Sequence, residues 1–107
     1  MRKVIICEAW IGAGESIILP TVAWHEFLCG CTPEEEHLAL ALLTGGLHPF
    51  GDAEAKVSAQ NFRSIKTPRH LRVEAMIAGT AIVANARLAT NNCADYKPFV
   101  IHGLRLA

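Results

Sequence analysis

Ten acidic and ten basic residues cancel at neutral pH, so no global positive field marks the chain as a nucleic-acid binder. No apolar run approaches the roughly 18 residues of a membrane span. The longest is Leu38–Leu43, with Val4–Cys7 and Ala81–Ala84 next, so no membrane association is expected. The charged start and short apolar stretch of Met1–Cys7 run straight into Glu8, which argues against a signal peptide. No Cys-x-x-Cys pair occurs. Cys7, Cys29, Cys31 and Cys93 are too few for a disulfide scaffold and read as reduced, mostly buried thiols of a cytoplasmic protein. No aspartate precedes Asp52, and no internal repeat or low-complexity linker is present.

What is present is apolar. Over 107 residues, 51% are hydrophobic and the mean hydropathy is +0.27. One small domain over residues 1–107 is expected, with part of its apolar surface covered in an oligomer. Charge is unevenly placed. Glu34-Glu35-Glu36 is acidic, and Arg63, Lys66, Arg69, His70 and Arg72 form a basic run. His25, Cys29, Cys31 and His37 can be drawn as a zinc site, although Cys-x-Cys is tighter than the usual ligand spacing.

The pattern predicts alternating elements. Residues 2–12 read as a short helix ended by Gly12 and Gly14. Ser16–Leu19 is a β-branched run between Gly14 and Pro20, a buried strand. Thr21 is placed to cap a helix over Val22–Gly30. Thr32-Pro33-Glu34-Glu35 is a helix start, with a hydroxyl cap, proline at N1 and glutamate at N3. Leu47–Phe50 reads as a strand held to an edge by Pro49. Asp52 is expected to cap a helix over Ala53–Ser64, and residues 65–72 to form a basic loop. Val73–Ala86 reads as a buried helix, Leu88–Thr90 as a strand, Asn91–Pro98 as a turn and His102–Leu106 as a final strand. Strands alternating with helices imply an α/β fold with a mainly parallel sheet. Ligands of such sheets sit beyond the carboxyl ends of the strands.

Three acids stand out, two of them where that rule points. Glu26 lies in the second turn of the Val22–Gly30 helix, Glu74 opens the buried helix, and Asp95 follows the Leu88–Thr90 strand. Burying a lone carboxylate is costly, and a divalent cation is the natural compensating charge. Each acid also has a plain structural role available. Glu74 suits a helix N-terminus, Glu26 a solvated face beside His25, and Asp95 a turn.

The segments around these acids share an order with a known family. Ile18-Leu19-Pro20-Thr21-Val22-Ala23-Trp24-His25-Glu26-Phe27-Leu28-Cys29-Gly30 resembles the PIN-domain strand that leads into a helix carrying a metal-site Glu. Glu74-Ala75-Met76-Ile77-Ala78-Gly79-Thr80-Ala81 is similar to the family's Asp-x-x-Ile-Ala-x-x-Ala helix. Ala89-Thr90-Asn91-Asn92-Cys93-Ala94-Asp95-Tyr96 resembles its Thr-x-Asn-x-x-Asp-Phe loop. The likeness spans about residues 10–107 and is nearest to the VapC-type toxin ribonucleases.

The resemblance implies a PIN-like three-layer fold, a mainly parallel central sheet flanked by helices. It implies a metal-dependent endoribonuclease of a toxin–antitoxin system, using Mg²⁺ or Mn²⁺. Glu26, Glu74 and Asp95 would hold the metal, with Thr90 and Asn92 in support. Arg63, Lys66, Arg69 and Arg72 would hold RNA phosphates, and a cognate antitoxin protein would be the partner. Trp10 and Trp24 are candidates for base stacking or for core and interface positions. Two departures stand beside the likeness. Glu74 replaces the family's usual Asp, which moves the carboxylate by about a bond length. The strand that carries the family's first Asp has no counterpart if residues 2–14 are helical. Glu8 is too close to Ser16 for the usual parallel crossover. The chain is then N-terminally incomplete, and a homodimer, strand-exchanged or not, would cover the exposed edge. A catalytically degenerate PIN domain that binds RNA or protein is the alternative.

Overall fold

The computed structural model describes residues 3–6, 16–65 and 71–107, with 3–6 described by backbone alone. The first element corrects the sequence expectation. Lys3–Ile6 is a strand, β1, not a helix. Val4, Ile5 and Ile6 are consecutive β-branched residues, which favour extended backbone over helix. The rest of the expected helix, with Trp10, lies outside the described residues.

β1 takes the middle of a five-stranded sheet. The other strands are β2 (Ser16–Pro20), β3 (Gly46–His48), β4 (Arg87–Ala89) and β5 (Arg105–Leu106), in the order β3-β2-β1-β4-β5. Every neighbouring pair is parallel. Ile5 lies opposite Ile18 on one side and Leu88 on the other. The expectation that the central strand is missing is therefore overturned. So is the spacing argument behind it, because β1 and β2 pair in parallel with only residues 7–15 between them.

Among the described residues five α-helices connect or follow the strands: α1 (Thr21–Leu28), α2 (Pro33–Leu42), α3 (Asp52–Ser64), α4 (Arg72–Val83) and α5 (Cys93–Tyr96). α5 and the start of a 3-10 segment, Lys97–His102, stand where Asn91–Pro98 was expected to be a turn. α2 starts as its sequence dictates. Thr32 Oγ1 accepts from the Glu35 N–H at 3.2 Å, and Glu35 Oε1 accepts from the Thr32 N–H at 2.9 Å. The other two starts differ in detail. Pro20, not Thr21, is the cap residue of α1, and Thr21 Oγ1 instead accepts from the Phe50 N–H at 3.2 Å. α3 is capped from within by Glu54, whose Oε1 accepts from the Gly51 N–H at 2.9 Å. Asp52 pairs with exposed Lys56 instead.

The core lies between α4 and the sheet. Ala75, Ala78 and Ala81 of α4 pack with Ile18, Leu88, Tyr96, Phe99 and Leu104. Small residues let α3 approach α4 closely. A Cβ placed on Gly79 would collide with Ser58 Oγ. Among the described residues no helix is long and apolar enough to cross a membrane.

Candidate metal centre

Parallel pairing puts all strand carboxyl ends on one edge of the sheet, and chemistry-bearing residues gather there. α1 follows β2 and carries Glu26. The Thr90–Asp95 segment follows β4. β2 and β4 are the two neighbours of β1, so these segments flank the carboxyl end of the central strand. α4 enters β4 through Ala84–Ala86, where Asn85 takes a positive φ of 54°. That reversal runs α4 back along the sheet and sets its N-terminal turn, with Glu74, at the same edge.

The three acids differ in environment. Glu74 is half-buried, and its Oε2 is shut away from solvent with no hydrogen-bond partner among the described residues. Asp95 is half-buried and its Oδ2 accepts from Asn92 Nδ2 at 2.7 Å. The same Asn92 donates its backbone N–H to Thr90 Oγ1 at 3.0 Å, and the Cys93 thiol donates to the Thr90 carbonyl at 3.4 Å. Thr90, Asn92 and Asp95 thus form one hydrogen-bonded loop, which leaves Asp95 Oδ1 outside the Asn92 contact. Glu26 is exposed on α1. Among the described residues no three His, Cys, Asp or Glu side chains converge to hold a metal. The structure therefore places the acids on one edge without closing them into a cage. Glu8 falls two residues beyond β1 in sequence and lies outside the described residues.

The basic run is only partly in view. Arg63 ends α3 and Arg72 begins α4, and both are exposed. The Arg72 guanidinium stands 5.9 Å from the Phe62 ring centroid. Lys66 and Arg69 lie outside the described residues. Trp24 is half-buried and stacks on Phe27 with centroids 5.6 Å apart.

Two expectations about soft ligands are corrected. Cys29 and Cys93 are exposed and Cys31 is half-buried, so these thiols are not core residues. The four-residue zinc set does not assemble. His25 Nε2 alone meets a cysteine, Cys29, with Sγ at 3.9 Å.

Sequence reasoning missed one polar pair at the same edge. His48, the last residue of β3, meets Glu54 Oε2 through Nε2 at 2.9 Å. The His48 hydrogen bond, helped by the backbone N–H groups of Glu54 and Gly51, holds the Glu54 carboxyl below its ordinary range, against the opposing effect of burial. Glu54 three residues past Gly51 was a legible capping signal.

No family model and no curated protein matches the sequence. Solved structures do match. A chain of VapBC-1 from nontypeable Haemophilus influenzae superposes with a TM-score of 0.66 at 13% identity, covering 100% of this chain and 97% of that one. FitAB bound to an IR36 DNA fragment matches with a TM-score of 0.62 at 15% identity, over 86% of this chain and 72% of that one. FitAcB from Neisseria gonorrhoeae gives 0.60 at 18% identity, over 86% and 75%. At these identities the likeness establishes the fold. The chain has the α/β architecture of a chain in each of these structures.

Proposed function

We propose that the protein is the PIN-domain toxin of a cytoplasmic toxin–antitoxin pair, a Mg²⁺- or Mn²⁺-dependent endoribonuclease of the VapC type. The carrying observation is Glu74 Oε2, a carboxylate oxygen buried without a partner among the described residues. An unpaired buried charge of that kind calls for a cation. Asp95, oriented by Asn92, and Glu26 on α1 are the further oxygen donors, and Thr90 holds the loop that presents Asp95. A bound divalent ion there supplies a water of lowered pKa and charge stabilisation of the phosphodiester transition state. Arg63, Lys66, Arg69 and Arg72 would take RNA phosphates. The fold likeness to VapBC-1 and FitAB favours an antitoxin protein as partner.

The test is Mn²⁺ binding by calorimetry together with RNA cleavage, with and without EDTA, for the wild type and Glu74→Gln. Metal-stimulated cleavage lost in Glu74→Gln is the expected result. No cleavage at high enzyme concentration supports the second reading, a PIN domain that keeps the fold and binds RNA or protein. That reading is favoured by the absence of a converged three-acid group among the described residues and by Glu in place of Asp at position 74.

A further inference from the structure

We propose that His25 and Cys29 form half of a soft-metal site, of the Zn²⁺ class, completed by the same pair from a second copy of the chain. His25 lies in the last turn of α1 and Cys29, four residues on, is its C-cap in helical backbone conformation, so the two project from the same side. Their ligating atoms, His25 Nε2 and Cys29 Sγ, are 3.9 Å apart. Tetrahedral zinc, with bonds of about 2.3 Å to sulfur and about 2.0–2.1 Å to nitrogen, needs these atoms about 3.6 Å apart. The pair is within a few tenths of an ångström of a chelating bite, which a small rotation of either exposed side chain closes. Thiolate and imidazole together select zinc-like ions over Mg²⁺. The site is thus chemically distinct from the acidic edge.

One chain supplies only two ligands, since no third His, Cys, Asp or Glu among the described residues joins them. Cys31 is the nearest thiol in sequence but does not join them, and Glu35 and Glu36 lie close to it. The same acidic charge draws cations toward this end of the molecule.

A second copy fits the surroundings. Phe27 and Leu28, next to Cys29, are 38% and 39% exposed, and α2 buries none of its residues while exposing Leu38 at 67%. Two copies meeting through Phe27 and Leu28 would cover apolar surface and supply two imidazoles and two thiolates in one stroke. Each Cys29 thiol releases its proton to solvent as its sulfur takes the metal, and no oxidant is needed.

Co²⁺ added to the reduced full-length protein tests this. Expected are a thiolate-to-cobalt charge-transfer band, saturation at one ion per two chains, and doubling of the mass over the metal-free protein, all reversed by EDTA. His25→Ala and Cys29→Ser should each remove the band and the mass change, while Cys7→Ser, Cys31→Ser and Cys93→Ser retain both. Circular dichroism without metal checks that each variant is folded. No band in the wild type, a band surviving Cys29→Ser, a band lost in Cys31→Ser, or saturation at one ion per chain overturns the proposal. None of these readouts depends on RNA cleavage.

Discussion

His48 Nε2 and Glu54 Oε2 stand 2.9 Å apart and tie the end of the edge strand β3 to the first turn of α3. The same carboxylate uses its other oxygen to cap α3 at Gly51. One side chain, 11% exposed, therefore fixes both a strand end and a helix start. Glu54→Ala should lower stability by about 2–3 kcal/mol, since it orphans a charge-assisted partner and a helix N–H together. Glu54→Gln, which can still cap Gly51, should cost less. Urea denaturation of the two variants checks the order.

The same carboxyl gives a pH dependence. Its pKa in the folded state lies below the ordinary value, so folding favours its charged form. The stabilisation is complete above the unfolded pKa and fades as pH falls through the folded one. Wild-type stability should therefore drop on acidification below the usual glutamate range, and Glu54→Gln should show a shallower drop. Parallel slopes in the two proteins would count against the assignment.

Gly79 is a second point of leverage. Alanine is the better helix former by about 1 kcal/mol. Here its Cβ would strike Ser58 Oγ and stand 3.0 Å from Ser58 Cα, in a contact made by backbone as well as side chain. Gly79→Ala should therefore destabilise by about 1–3 kcal/mol through separation of α3 and α4. Gly79→Ala combined with Ser58→Gly should recover part of the loss, as thermal melts of the single and double variants would show.

Glu74 should separate binding from stability. Its Oε2 has no partner among the described residues, and removing a buried charge in that position relieves a desolvation cost. In EDTA, Glu74→Gln should melt a few degrees above wild type, the shift expected for about 1 kcal/mol in a domain of this size. With Mn²⁺ the order should reverse, because only the wild type gains from the ion. A variant less stable than wild type in both conditions would make Glu74 a structural residue.

Thr32→Ala should loosen α2 alone. Losing the cap costs a helix about 1 kcal/mol. α2 buries none of its residues, so little of that loss reaches the core. Hydrogen exchange should quicken over residues 33–42 while the global melting temperature stays near wild type.

Local chemistry was the legible part. Thr32-Pro33-Glu35 predicted its own helix start because all partners lie within one turn. The apolar run at Ser16 and the small residues of α4 predicted burial. β1 was missed because three consecutive Val and Ile residues look alike in a buried strand and a short helix, and the pairing partners of the strand lie at residues 16–18 and 87–89. Glu74 was legible as an acid at the head of a buried helix. Its unpartnered oxygen, and the failure of Glu26 and Asp95 to close around it, depend on how α1, α4 and α5 are stacked, which no local pattern encodes. His48 was invisible for the same reason, and Glu54, which caps α3 where Asp52 was expected to, offered only its spacing from Gly51 as a signal.

The central place of β1 also dictates an order of events. Its pairing partner Leu88 belongs to β4, so the middle of the sheet closes only once residues 87–89 have left the ribosome. Until then, β1 and β2 present an unpaired parallel edge of Val and Ile residues, the kind of edge that invites association with other chains. Such long-range pairing is slow to form. The rate-limiting step of refolding should be the arrival of β4 beside β1, and substitutions at Leu88 should slow refolding more than they speed unfolding.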